Sequence, residues 1–154
     1  MLELLQQYLT QRQWQFSEIS KGNTLFFGVR TEHGGLQCTA TILEDRQLIN
    51  FHTSCATVPA DKRPLVLDFI NTLNFNLFIG HFEIEPRGGD VRCRTTVSYQ
   101  YLKPGVEVIE EIIMSNIITA SRSLPGLSGV LYGGLTAEQA MKLVKQQEDA
   151  AVTG

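Results

Sequence analysis

The chain lacks most of the features by which a sequence announces chemistry. Its three cysteines, Cys38, Cys55 and Cys93, are an odd number with no C-x-x-C spacing. That argues against a secreted disulfide framework and for a reducing compartment. No apolar run approaches the ~20 residues that a membrane-spanning helix needs. The opening MLELLQQYLTQRQW has no positive region, and glutamines interrupt its leucines, so it does not read as a signal peptide. There is no block of like charge and no low-complexity linker. The net charge is -3 and charged residues make up 19%, below the usual quarter. A nucleic-acid surface is normally basic, so that partner is not expected. These absences predict a soluble cytoplasmic protein with neither membrane nor nucleic acid as its partner.

The search for reactive groups is equally sparse. His33, His52 and His81 are scattered, with no i, i+4 pair and no Cys/His cluster at ligand spacing, so no metal is expected. Gly126-Leu127-Ser128-Gly129 is one residue short of a nucleophile elbow. Gly133-Gly134 before a helix lacks the lysine and spacing of a phosphate loop. Lys62-Arg63 with Arg87, Arg92 and Arg94 is the nearest approach to a basic cluster and reads as a solvated face. No catalytic residue and no cofactor are expected.

What the sequence does contain is architecture. A chain of 154 residues suggests one domain, taken as residues 1–149 with a frayed tail at 150–154. A short helix is expected over about Glu3 to Arg12. Strands are expected at Phe16–Ile19, Thr24–Arg30, Leu36–Ile42 and Gln47–Thr53, joined by turns at Lys21-Gly22-Asn23, His33-Gly34-Gly35 and Glu44-Asp45-Arg46. Leu36, Cys38, Ala40 and Ile42 alternate with polar residues, the mark of a sheet buried on one face.

The stretch Val58 to Glu85 predicts a helix that turns at Gly80 into a strand. Leu65, Val66, Phe69, Ile70, Leu73 and Leu77 give it a broad apolar face, expected to lie across the sheet as the centre of the fold. Asp61 is its expected N-cap, with Pro64 in the first turn. His81–Glu85 and Val91–Tyr99 predict a hairpin in which Ile84 faces Cys93, Glu85 faces Arg92 and Glu83 faces Arg94. A third helix is expected from Gly105 to about Ser123, ending before Pro125, with Ile109, Ile113, Ile117 and Ala120 as its core stripe. A glycine-rich loop from Leu124 to Leu135 follows. Thr136-x-x-Gln139 is a capping box for a last helix to about Gln147. The order predicts an α+β domain, α-β(3–4)-α-ββ-α-α, with helices on one face of an antiparallel sheet.

Four residues stand apart from this pattern as interface candidates. Met114 and Ile118 fall off the core stripe of their helix, among Glu107, Glu111, Ser115 and Arg122. The alternative is that they lie beneath the C-terminal helix. Asn71 and Asn74 lie in the run NTLNFN, where asparagine, a poor helix former, is unexpectedly frequent. They serve either a second chain or the unwinding helix end.

Val58-Pro59-x-x-Lys62-Arg63, Asn71-x-x-Asn74, Ile79-Gly80-x-Phe82-x-Ile84, a Gly-Asp turn, Val91-Arg92-Cys93-Arg94-Thr95 and Leu124-Pro125-Gly126 together resemble the YbjN family of bacterial proteins. The family is described as a sensory transduction regulator. Its fold is similar to that of type III secretion chaperones, commonly dimeric, with helices on one face of a curved antiparallel sheet. The resemblance implies a non-enzymatic protein that binds other proteins, expected here as a homodimer with an unidentified protein partner. It transfers no catalytic residue. A second reading is a small-molecule binder or enzyme with a pocket near His52, Cys55 and Gly133.

Overall fold

The computed structural model describes residues 1–19 and 22–152, the last five by their backbone. The chain runs α1 (Leu2–Gln11), β1 (Phe16–Ile19), β2 (Thr24–Thr31), β3 (Gly34–Leu43), β4 (Leu48–Thr57), α2 (Arg63–Phe75), β5 (His81–Ile84), β6 (Asp90–Ser98), α3 (Val106–Tyr132) and α4 (Ala137–Val152). The six strands form one curved antiparallel sheet in the order β1-β2-β3-β4-β6-β5. Gly22 has the positive φ, 83°, that the first strand turn requires. Lys21 of that expected turn, and Thr153 and Gly154 of the expected tail, lie outside the described residues. The last helix extends through Val152, beyond the Gln147 at which the sequence pattern fades.

Alternation settles which face is covered. Leu25 and Phe27, then Leu36, Cys38, Ala40 and Ile42, then Ile49, Phe51 and Thr53, then Val91, Cys93 and Thr95 are buried on the helix side. Thr39, Thr41, Asn50, His52, Arg92 and Arg94 project from the other face. Trp14, Phe27 and Phe51 form an aromatic row with centroid separations of 5.6 and 5.9 Å.

The helix at the centre is α3, which corrects the expectation from the Val58–Glu85 stretch. α3 lies over β4 and β6, presenting Ile109, Ile113, Ile117 and Ala120, all at most 3% exposed. At 27 residues it is about 40 Å long, enough to cross six strands spaced ~4.8 Å apart. α2 packs instead against α3, α4 and β5. Its buried arc is Val66, Phe69, Ile70 and Leu73, while Leu65 is 58% exposed and Leu77 lies beyond the helix end. α2 stops at Phe75, and Gly80, with φ 77°, ends a five-residue connection to β5. Asp61 does not cap α2. A 3-10 turn over Ala60–Lys62 precedes it, Lys62 is the N-cap residue, and Pro64 falls in the first turn as expected.

Two further boundaries moved for physical reasons. Pro125, Gly126 and Gly129 lie inside α3. An interior proline costs ~3 kcal/mol. Continuing the helix buries Leu127, Val130 and Leu131, about 1.5–3 kcal/mol each, so burial prevails. β4 runs on to Thr57 with a bulge between Ser54 and Ala56, which puts Cys55 in a strand rather than a loop. The β5–β6 register is offset by two residues from the expected one. Phe82 faces Cys93 and Glu83 faces Arg92. An offset of two preserves which side chains face inward. Glu85 closes the turn instead, its N–H donating to Asp90 O at 2.8 Å and its carboxylate accepting from the backbone N–H groups of Arg87 and Gly88.

Candidate functional site

Met114 and Ile118 line an open groove of about 450 Å³ between α3 and the far end of β2. Its walls also include Trp14, Val29, Ile117 and Arg122. The groove exists because β1 is short. It pairs only with Thr24–Phe27, so Gly28–Thr31 of β2, paired with β3 on one side, has no strand on the β1 side. Trp14 is fixed in place, stacked on Phe27 and edge-on to Tyr8 at 6.2 Å. Met114 is half-buried and Ile118 is 40% exposed. α4 packs on α2 and the C-terminal half of α3, and the alternative that it covers these two residues falls away. Arg30, Glu32 and Arg122 put both signs of charge at the rim. The floor is apolar and carries no reactive group, so the chemistry on offer is burial of hydrocarbon with polar contacts around it.

The two asparagines have separate roles. Asn74 holds the edge strand with both ends of its amide. Its Nδ2 donates to Phe82 O at 3.0 Å, and its Oδ1 accepts from Phe82 N at 2.7 Å. A side chain thus supplies the pairing that another strand would. Asn76 Nδ2 donates to Thr72 O at 2.8 Å and secures the helix end. Asn71 is exposed on the outer face of α2. Asn74→Ala is expected to destabilise the protein by about 1–3 kcal/mol, because Phe82 loses two backbone partners beside a buried side chain. Urea denaturation measures this, and a change below ~0.5 kcal/mol would show that water replaces the amide at no cost.

The open sheet face carries a charge cluster. Glu83 Oε1 accepts from Arg92 Nε at 2.5 Å and from Arg94 Nη2 at 2.6 Å. Burial pushes the Glu83 carboxyl up, but the hydrogen bond to Arg92 and the charges of both arginines outweigh it and hold the carboxyl low. His52, opposite Arg94, is pushed down by burial and then by Arg92 and Arg94, which favours the neutral imidazole. Among the described residues no group of three or more His, Cys, Asp or Glu side chains is arranged to hold a metal ion.

The residues of the small-molecule alternative are not brought together. His52 projects from the open face, whereas Cys55, at the bulge, packs against the core. Burial pushes the Cys55 thiol far up, and raises Cys38 to about 11 and Cys93 to about 12, so none supplies a thiolate near neutral pH. Gly133 terminates α3, its N–H donating to Gly129 O at 2.9 Å. None of the described grooves is lined by His52, Cys55 or Gly133.

The basic residues read as a solvated face are divided between two places, Arg92 and Arg94 at Glu83 and Lys62 and Arg63 at the start of α2. Lys62 Nζ donates to Leu131 O and lies over the Tyr132 ring at 5.9 Å. Arg63 donates to Pro86 O at 2.8 Å and Arg87 O at 3.2 Å. Both cations fasten neighbouring segments to the start of α2.

Comparison with known proteins adds the family. The model of the YbjN family, described as "Putative bacterial sensory transduction regulator", matches residues 1–128. The chain belongs to the YbjN family. No curated protein matches it. Among solved structures, YbjN from E. coli is similar with a TM-score of 0.60 at 13% identity, covering 79% of this chain and 86% of that one. The ExsC–ExsE complex contains a chain similar at 0.59 and 13% identity, covering 80% and 90%. The HopA1–SchA chaperone–effector complex contains one at 0.51 and 13%, covering 79% and 90%. At such identities the likeness is one of fold, and it is the expected type III secretion chaperone-like α+β fold. No helix among the described residues is long and apolar enough to cross a membrane.

Proposed function

We propose that this YbjN-family protein is a non-enzymatic cytoplasmic binding module, homodimeric, that receives an apolar segment of a partner protein in the groove between α3 and β2. The observation that carries the reading is the convergence of Met114 and Ile118 with Trp14 and Val29 on one uncovered concave surface. Two of the structurally similar chains come from complexes of two different proteins, one of them titled a chaperone–effector complex, which supports a protein ligand. The second reading, a small molecule held by His52, Cys55 and Gly133, has no common surface to support it.

The test is co-purification from cells. The unmodified protein is expected to retain a partner that the double variant Met114→Glu, Ile118→Glu loses by at least about tenfold, equivalent to ~1.4 kcal/mol of binding. Glutamate places a charge where an apolar side chain has to seat, and a buried unpaired charge costs more than that. Both sites are partly solvent-exposed, and the fold is expected to retain most of its stability. If the same partner co-purifies in equal amount with the variant, the groove reading fails.

A further inference from the structure

The groove between α3 and β2 differs from one end to the other. Its two walls start from a common corner. Arg12 is ion-paired to Glu110 of α3, and Trp14, two residues on, stacks on Phe27 of β2. From that corner Met114, Ile118 and Arg122 follow at four-residue spacing along α3. The backbone of Arg122 therefore stands about 12 Å beyond that of Met114. On the facing wall Val29 gives way to Arg30 and Glu32. The corner half is hydrocarbon and aromatic, and the far half is charged.

That charge is unbalanced. Glu32 is the one carboxylate of the lining, against Arg30 and Arg122, and it stands beside the His33 imidazole, 3.3 Å away. Other arginines of the fold are committed: Arg12 to Glu110, Arg63 to the carbonyls of Pro86 and Arg87, Arg92 and Arg94 to Glu83. Among the described residues the side chains of Arg30 and Arg122 have no hydrogen bond and no ion pair. Arg122 is half-buried, so it bears part of the cost of leaving water without a partner to offset it. The chain as a whole carries a net charge of -3, so two uncommitted cations at one end of a groove are a local feature.

We propose that the segment received by this groove is apolar at one end and acidic at the other. Two apolar side chains seat against Met114 and Ile118 beside Trp14. An aspartate or glutamate about 12 Å further on pairs with Arg122 and Arg30. This rests on the protein-segment reading above and specifies the chemistry of the segment. Burial of the apolar side chains supplies the affinity. The carboxylate supplies choice and direction. An arginine fork accepts it through two parallel N–H···O bonds, whereas a lysine at the same place brings like charges together. A segment entering the other way round would set its carboxylate against Trp14 and Met114, where no cation is free to meet it, since Arg12 is held by Glu110.

Selection of random dodecapeptides displayed on phage, against the immobilised full chain, tests this. The enriched peptides are expected to combine large apolar residues with aspartate or glutamate. A synthetic peptide of the enriched sequence is expected to bind at least about tenfold more weakly once its carboxylates are replaced by amides. Against the double variant Arg30→Glu, Arg122→Glu the selection is expected to return similar apolar residues joined to lysine or arginine instead. Enriched peptides without an acidic bias, or an acidic bias that survives both charge reversals, overturn the proposal and leave the apolar groove standing. Enriched peptides that the Met114→Glu, Ile118→Glu variant still binds lie elsewhere on the protein and overturn the groove reading itself. A selection that enriches nothing on the unmodified protein overturns both.

Discussion

Asn116→Asp is expected to destabilise the protein by about 3–5 kcal/mol at neutral pH. Asn116 lies on α3 over β6 and is 1% exposed. Its Nδ2 donates to Cys93 O at 3.1 Å and to Thr95 Oγ1 at 3.0 Å, and its Oδ1 has no protein partner. Aspartate keeps the shape and removes the donor. A carboxylate then faces a carbonyl oxygen in a site without a cation, and burial raises its pKa. The sign follows from linkage. A carboxyl with a folded pKa above its unfolded value of ~3.9 binds its proton more tightly in the fold. The variant is therefore closest to the unmodified protein below pH ~4, and it falls behind as the pH rises through the folded pKa. Urea denaturation across that range measures the widening gap. A gap that stays constant with pH would mean that the carboxylate had found water or a positive partner.

The second large effect is expected at Gly126. An exposed helix-interior glycine normally gains ~1 kcal/mol on replacement by alanine. Here a Cβ would stand 2.8 Å from Phe69 Cζ and 3.0 Å from both Ala140 O and Val144 Cγ2. Phe69 is buried and Ala140 O is backbone, so neither has room to yield. Overpacking of this kind costs ~1–3 kcal/mol for small additions, enough to reverse the propensity gain. Gly126→Ala is expected to lose about 1 kcal/mol and Gly126→Val about 3 kcal/mol. For a domain of this size the valine change lowers Tm by about 6–12 °C. A thermal melt decides it, and an alanine variant more stable than the parent would show that α2 and α4 can move away from α3.

That contact also explains where sequence reading lost its way. Period-two alternation marked β3 correctly because each inward residue is apolar and each outward one polar. The Thr136–Gln139 capping box was equally plain, and both of its hydrogen bonds form. Pro125, Gly126 and Gly129 carry local signals for a loop. Their helical state comes from Leu127, Val130 and Leu131 finding a core that no local window contains. The same limit misplaced the central helix, since α2 and α3 both have apolar faces and only their lengths and partners distinguish them. Alternation was blind to the two-residue offset of β5 on β6 for a related reason. A shift by a whole pleat leaves every face unchanged, and the turn around Glu85 decides the register.

The candidate site was half legible. Met114 and Ile118 stood out because they broke the stripe of their own helix. Trp14 and Val29, the opposing wall, gave no such sign, because the groove depends on β1 ending after four residues. Phe75 and Phe78 were not singled out in the sequence, and only their exposure marks them. The residues that carry the family resemblance turn out to be fasteners. Lys62 and Arg63 hold carbonyls of distant segments, Asn74 holds β5, and Gly80 and Gly89 sit where a side chain would collide with backbone.

Trp14 has a practical consequence. It is the only tryptophan in the chain, and its ring forms part of the groove wall. The intrinsic indole emission of this protein therefore originates at one address. Its colour and its accessibility to a quencher report the wetness of that cleft, so a titration needs no attached dye to follow what enters it.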